Sequence, residues 1–552
     1  MNICDFKEER FKIGSSQEER KSFYERRNQR AAMFFEAFSM PTLLFAVGFT
    51  LCFYKAHMGI MIPVLMVLTS LYINAIIKKF DKKPSKFSYM CMGISFLISV
   101  SIFLTANTEV IFIDYCIIFL LFMTILLDSF FDISKWSLGL TLKNLLKVVI
   151  TSFGFIERPF NDISSARRIR SSEGKTSGKK IKYVLIGIAI SIPVFIVLGV
   201  ILSTADEVFR EFIGHFFEEL FETADIILIP LMALAAYVVA YYILRYICSG
   251  EIKEDDKSKY NFNEIIGISF MASILLLYFT FCIIQIRYLF IGDTSLPAGV
   301  TFASYARTGF FQLLFVSVVN VVMVLIIKEL FNNSKILNIM LVICCCMTYI
   351  IIASAAIRMK LYIDTYYLTF DRLLVLVTLG IIAVVLIGIV LFIINDSFSI
   401  YKYCVVSISV CIMIFSFARV DGYIAKYDIE RWIEDEEYTK ADDECVDYYY
   451  LGQLSLDAAP YIIDLIEEKA YRNDDVVKEI KHLYKEIDSD DYSEYEYDDD
   501  YNLYTSSSVS NMFRRYTLSS NRKQLQNDNL RNFNISVYRG RKAIDDLLDE
   551  IN

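Results

Sequence analysis

Asp114 is the residue at which a search for chemistry stops first, because it stands inside an apolar run, about one helical turn from the predicted end of its span. A carboxylate in hydrocarbon is costly unless it is paired or wetted, so it marks either an ion or proton site or a side chain that reaches the interface from that depth. A second group is basic: Arg287, Arg307, Arg358 and Arg372, with Lys360, Asp293, Asp364 and Asp371, fall in two loops and at four helix ends predicted to share one side. Guanidinium groups bind carboxylate and phosphate in a forked geometry, so this rim reads as a vestibule for an anionic or zwitterionic ligand, or as ion pairs that fix helix ends. Tyr305, Gln312 and Tyr362 are candidate ligand contacts there, and equally interfacial anchors and interhelical hydrogen-bonding groups.

Other spacings carry less. Three consecutive cysteines, Cys344, Cys345 and Cys346, point in different directions on a helix, which suits packing and not a metal. Gly174, Lys175 and Thr176 resemble the end of a phosphate-binding loop, but Ile169 stands where its earlier glycine is required. The acidic stretch 488–501 lacks the spacing and turn glycine of a calcium loop and reads as a solvated insert. His57, His215 and His482 are far apart, and hydrolase, metalloprotease and dinucleotide patterns are absent, so neither a cofactor nor a catalytic residue is expected.

The elements that must position these groups are membrane spans. The 552 residues are 55% hydrophobic and 15% aromatic, with mean hydropathy +0.44, above the roughly 45–50% apolar content of soluble chains. Runs long enough for a core about 30 Å thick fall at 36–55, 58–77, 87–106, 110–127, 183–203, 226–246, 264–286, 309–327, 336–357, 373–394 and 403–419. The expectation is an all-α polytopic bundle of about eleven spans over 36–419, preceded by a charged cytoplasmic segment 1–35 and followed by a mainly helical extramembrane domain 420–552.

Charge orients it. Lys78, Lys79, Lys82, Lys83 and Lys86 crowd one link and seven basic residues between 167 and 182 another, whereas the 204–225 loop is acidic. The basic links are then cytoplasmic, and an odd span count puts 420–552 on the outside. Amphipathic stretches at 136–155 and 205–221 read as interfacial helices on opposite sides. Helical spacing recurs at 457–470, 474–487 and 536–551.

Several segments carry a resemblance: YARTGFFQLLFVSVVN at 305–320, RMKLYIDTYYLTFDR at 358–372, DGYIAKYDIE at 421–430, LSLDAAP at 454–460 and NFNISVYRGRKAIDDLL at 532–548. With them the chain resembles the uncharacterised bacterial membrane proteins of domain-of-unknown-function families 4153 and 4173. That implies a multi-pass protein of the bacterial cytoplasmic membrane and no activity. The expected partners are the lipid bilayer, a small anionic or zwitterionic solute, and a protein bound through 420–552. Nucleic acid is not expected, because the basic loops suit lipid headgroups. Three functions follow: a transporter or permease-like protein for an ion or such a solute, a sensor or scaffold acting through 420–552, and an enzyme that modifies envelope lipid or glycan.

Overall fold

The computed structural model describes residues 17–56, 58–154, 158–170, 225–249, 252, 262–287, 309–331, 334–434, 448–470 and 530–551. Within them the chain forms helices α1 (Gln17–Phe53), α2 (Met61–Lys79), α3 (Lys86–Leu104), α4 (Thr108–Phe130), α5 (Leu138–Gly154), α6 (Arg158–Arg170), α7 (Asp225–Cys248) and α8 (Glu264–Gln285). They are followed by α9 (Phe310–Leu330), α10 (Lys335–Tyr366), α11 (Phe370–Ile394), α12 (Ile400–Phe417), α13 (Val420–Glu434), α14 (Tyr448–Leu451), α15 (Ala459–Ala470) and α16 (Ile535–Ile551). Ten of these, α1 to α4 and α7 to α12, are long and apolar enough to cross a membrane, and the chain is an all-α multi-pass membrane protein. The expected span at 183–203 lies outside the described residues. So do the 205–221 and 474–487 helices, the 488–501 insert and Arg307.

Local signals start the helices where they are needed. Ser85 caps α3 by accepting from the Ser88 amide, Asn107 caps α4 at the Val110 amide, and Asn263 caps α8 at the Ile265 amide. Two boundaries differ from the hydropathy reading. α1 runs unbroken from the charged segment into the first span, because helix formation needs only a compatible backbone, whereas lipid burial needs apolar side chains. α10 continues to Tyr366, past the apolar run, and so carries Arg358 and Asp364 on a helix.

The helices alternate in direction with one exception. Phe80 at the end of α2 meets Phe130 at the end of α4 edge-on at 5.1 Å, and Lys82 donates to the Phe130 carbonyl. Phe38 of α1 stacks on the same Phe80, and Arg245, near the end of α7, lies over the Phe34 ring. Thus α4 and α7 end at the same lysine-rich face. At that face Glu329 of α9 accepts from the Leu138 amide at the start of α5, a carboxylate at a helix N-terminus, and ties the two halves together.

Three spans form the seam that matters for function. α3 buries Ser88, Cys91, Ser95, Ile98 and Ile102; α4 buries Ile111, Asp114, Ile118, Leu121 and Ile125; α12 buries Tyr401, Val405, Ser409, Ile412 and Ser416. Each set advances by three or four residues, the pattern of helices packed lengthwise. Small residues allow close approach elsewhere: a Cβ at Gly388 of α11 would fall 2.2 Å from the Tyr403 ring of α12.

Helices α13 to α16 cover the face opposite the lysines. Their apolar residues, Ile424, Trp432, Ile462 and Leu547 among them, and Leu456 in the turn before α15, belong to the same continuous core as Leu368, Val375 and Phe415 of the bundle. We call this group the cap.

Candidate functional site

In the seam, Asp114 is fully enclosed. Ser101 of α3 donates to one of its carboxylate oxygens at 2.8 Å and Ser416 of α12 to the other at 2.6 Å. No described Lys or Arg pairs with it. Further along α4 the side chain of Asp128 is 3% exposed, and it accepts from Ser85 and from Ser88 at 2.8 Å and pairs with Lys402 of α12 at 2.7 Å. Between the two acids Thr124 and Tyr401 share a hydrogen bond of 2.7 Å, and the buried Ser409 hydroxyl has no hydrogen-bond partner among the described residues. A packed hydroxyl without a partner costs about 1–3 kcal/mol, so its presence calls for a reason.

Where the seam meets the cap, a second polar layer begins. Asp457 accepts from the hydroxyls of Thr105 and Ser536 and from the Ala106 amide at 3.1 Å. Asn534 donates to the carbonyls of Met58 at 2.9 Å, Ile102 at 3.1 Å and Thr105 at 2.9 Å, and accepts from the Ser536 and Val537 amides. Asp421 accepts from the Ser455 amide at 2.9 Å, and Asp428 from the Leu368 amide at 2.8 Å. The last bond holds the α10–α11 turn, where Tyr367 has φ 64, a conformation costly for a residue with a Cβ. Trp432 meets Tyr367 edge-on, Tyr450 accepts from the Phe370 amide, and Arg372 donates to the Tyr366 and Tyr367 carbonyls. The strained turn is thus pinned from both the cap and the bundle.

Burial pushes the Asp421 carboxyl up from its ordinary value, a shift that the Ser455 and Asn107 hydrogen bonds oppose and the neighbouring Asp457 reinforces. A raised carboxylate pKa in the docked state means that the docked cap holds its proton to higher pH than the released one. Below about pH 4 both states are protonated and docking is insensitive to pH; as pH rises from there through the raised value, the released state ionises first and docking weakens. Protease susceptibility of the cap should therefore climb with pH over that window, and Asp421→Asn should flatten the climb. A climb of equal steepness in the variant would assign the effect to another group.

The basic rim separates. Arg358 is buried and donates to Gln285 at 3.2 Å, Gln285 also accepts from Ser354 at 2.6 Å, and the guanidinium packs so closely on Gly309 that a Cβ there would lie 2.2 Å from Nη1. Arg372 lies over the Tyr362 ring and Asp364 pairs with Arg431 of the cap at 3.2 Å. Arg287 is exposed at the end of α8, and Gln312 is exposed on the outer face of α9. Arg358, Arg372 and Asp364 therefore serve three separate joints. Cys344 and Cys345 are buried and Cys346 faces outward, and no described group of His, Cys, Asp and Glu is arranged to hold a metal.

Sequence reading missed Asp128, Lys402, Ser409, Asp457 and Asn534. Asp128 had a usable signal, because it lies two heptads from Asp114 on the same helical face, just beyond the apolar run. Asp457 and Asn534 had none, since Thr105 is 352 residues from the first.

No curated protein and no solved structure matches the chain. A family model does match, over residues 92–465, which takes in Asp114, Asp128, Ser409 and Asp457 and stops short of Asn534. By that match the chain belongs to the family described as Domain of unknown function (DUF4153).

Proposed function

We propose that this protein is a permease-like carrier of a small cation, the proton included, and that Asp114 is the group that takes the ion up. One observation carries the reading: a fully enclosed carboxylate, in a helix long enough to span a membrane, has two serine hydroxyls for partners and no described cation. Insertion scales put an unpaired Asp at mid-membrane at about 2.5–3.5 kcal/mol, an upper bound for a site nearer one end of its span, and protonation or cation binding removes that cost. The alternative cargo, an anionic or zwitterionic solute, loses support because Arg358 and Arg372 are engaged with Gln285, Tyr366 and Tyr367. In this reading the lysine-rich face is cytoplasmic, in a bacterial cell membrane, and the cap is outside.

In proteoliposomes loaded with a pH dye, or assayed with radioactive sodium, Asp114→Asn should abolish ion entry while the protein still inserts and folds. Entry at the rate of the unaltered protein would sink the proposal. A second reading, a sensor acting through the cap, is favoured by the continuity of the cap core with the bundle core and by the pinned Tyr367 turn. It expects cap release without any flux.

A further inference from the structure

We infer that the ion is the proton and that it crosses along the α3–α4–α12 seam between two carboxylates, Asp114 and Asp128. This rests on the reading of Asp114 as the ion carrier. The two acids lie on one face of α4, fourteen positions apart, which at 1.5 Å per residue is roughly 21 Å, most of a hydrocarbon core about 30 Å thick. Each accepts from a serine of α3, Ser101 or Ser88, and each is touched by α12, through Ser416 at one end and Lys402 at the other. One pair of helices thus carries the same acid-and-serine arrangement near both faces of the bundle.

What lies between favours a proton over a metal cation. A hard cation such as calcium or magnesium wants six or more oxygen ligands, whereas Asp114 has two oxygens of its own and two hydroxyls already close to the Ile98 and Ile412 carbonyls. A proton needs one lone pair. The stretch between the acids is lined by the Thr124–Tyr401 pair and by Ser409, whose hydroxyl is free to accept or donate. Ile118 and Leu121 fill the rest of that face of α4, so the chain of hydroxyls is interrupted and closes only when water enters. Every transfer breaks one O–H bond and forms another, and no electron pair leaves the oxygens.

The test uses the full chain in liposomes, with an imposed potassium diffusion potential as driving force and an internal pH dye as readout. Asp128→Asn keeps the serine donors in reach and should slow proton entry by at least about a hundredfold, the low side of what a positioned proton-transfer group supplies. Because Lys402 then loses its carboxylate, Ser409→Ala is the companion variant. It removes one buried hydroxyl, should leave thermal stability unchanged or slightly higher, and should still slow entry several-fold. Sodium entry without proton entry in the unaltered protein would overturn the proton assignment while leaving the Asp114 carrier intact. Proton entry that depends on Asp114 but is indifferent to both Asp128→Asn and Ser409→Ala would overturn the seam path. Proton entry indifferent to Asp114→Asn would overturn the carrier reading itself, and this inference with it.

Discussion

Asn534→Ala is expected to release α16 from the bundle while the ten spans stay assembled. The side chain is a stitch between distant parts of the chain. Its amide nitrogen donates to three carbonyls, those of Met58, Ile102 and Thr105, and its oxygen receives the Ser536 and Val537 amides that open α16. Two of those carbonyls lie at the C-terminal end of α3, where the helix has no internal donor left for them. Truncation therefore removes five hydrogen bonds at once and leaves buried acceptors unsatisfied, which at about 0.5–1.5 kcal/mol per bond amounts to about 2.5–7.5 kcal/mol. The remaining hold on α16 is the Ser536 hydroxyl on Asp457 and an apolar face that includes Ile544 and Leu547. Hydrogen exchange of α16 amides in nanodiscs should rise by orders of magnitude in the variant, with α3 and α4 protected as before. Asn534→Asp is the informative control, since it keeps the shape, loses the donors and turns an anion toward three carbonyls; it should be at least as disruptive. Unchanged protection of α16 in both variants would show that the Ser536–Asp457 bond and the apolar face dock the helix without Asn534.

Hydropathy was enough to place the spans, and the reason is physical. Length and apolar content are local properties of a segment, so ten runs between residues 36 and 419 appear as helices close to their expected limits. Asp114 was legible for the same reason, as a charge inside an apolar run. The partners of a polar group are not local. Nothing about Arg358 in sequence says that it will be buried on Gln285 instead of opening toward solvent, because that depends on α10 continuing beyond the apolar run and on Gly309 leaving room for a guanidinium. The rim therefore looked like one basic ring and folds as three joints. Asp457 and Asn534 fall in segments that carry the family resemblance, which assigns them no role. Their role exists only because α3 ends with free carbonyls on the face that the cap covers.

Asp162→Ala should be the most damaging single change at the lysine-rich face. Asp162 of α6 and Arg245 of α7 form an ion pair of 3.3 Å with side chains 9% and 4% exposed, and Tyr241 donates to the same carboxylate oxygen at 3.0 Å. The guanidinium also lies over the Phe34 ring of α1 at 5.2 Å, so one acid organises three helices. Deleting it leaves a desolvated guanidinium and a buried phenol without the acceptor they share, and breaking a buried pair from one side costs about 3–5 kcal/mol. Denaturant unfolding in detergent should register a loss of that size, with α6 the first element to open to proteolysis. The pair itself need not be strongly stabilising, because its attraction is largely offset by the desolvation of both charges. Replacing both members, Asp162→Leu with Arg245→Met, should accordingly recover most of the lost stability, leaving chiefly the cost of the stranded Tyr241 hydroxyl. If the single variant loses less than about 1 kcal/mol, the pair is as weakly coupled as one at an open surface, and the anchoring of α6 must lie elsewhere.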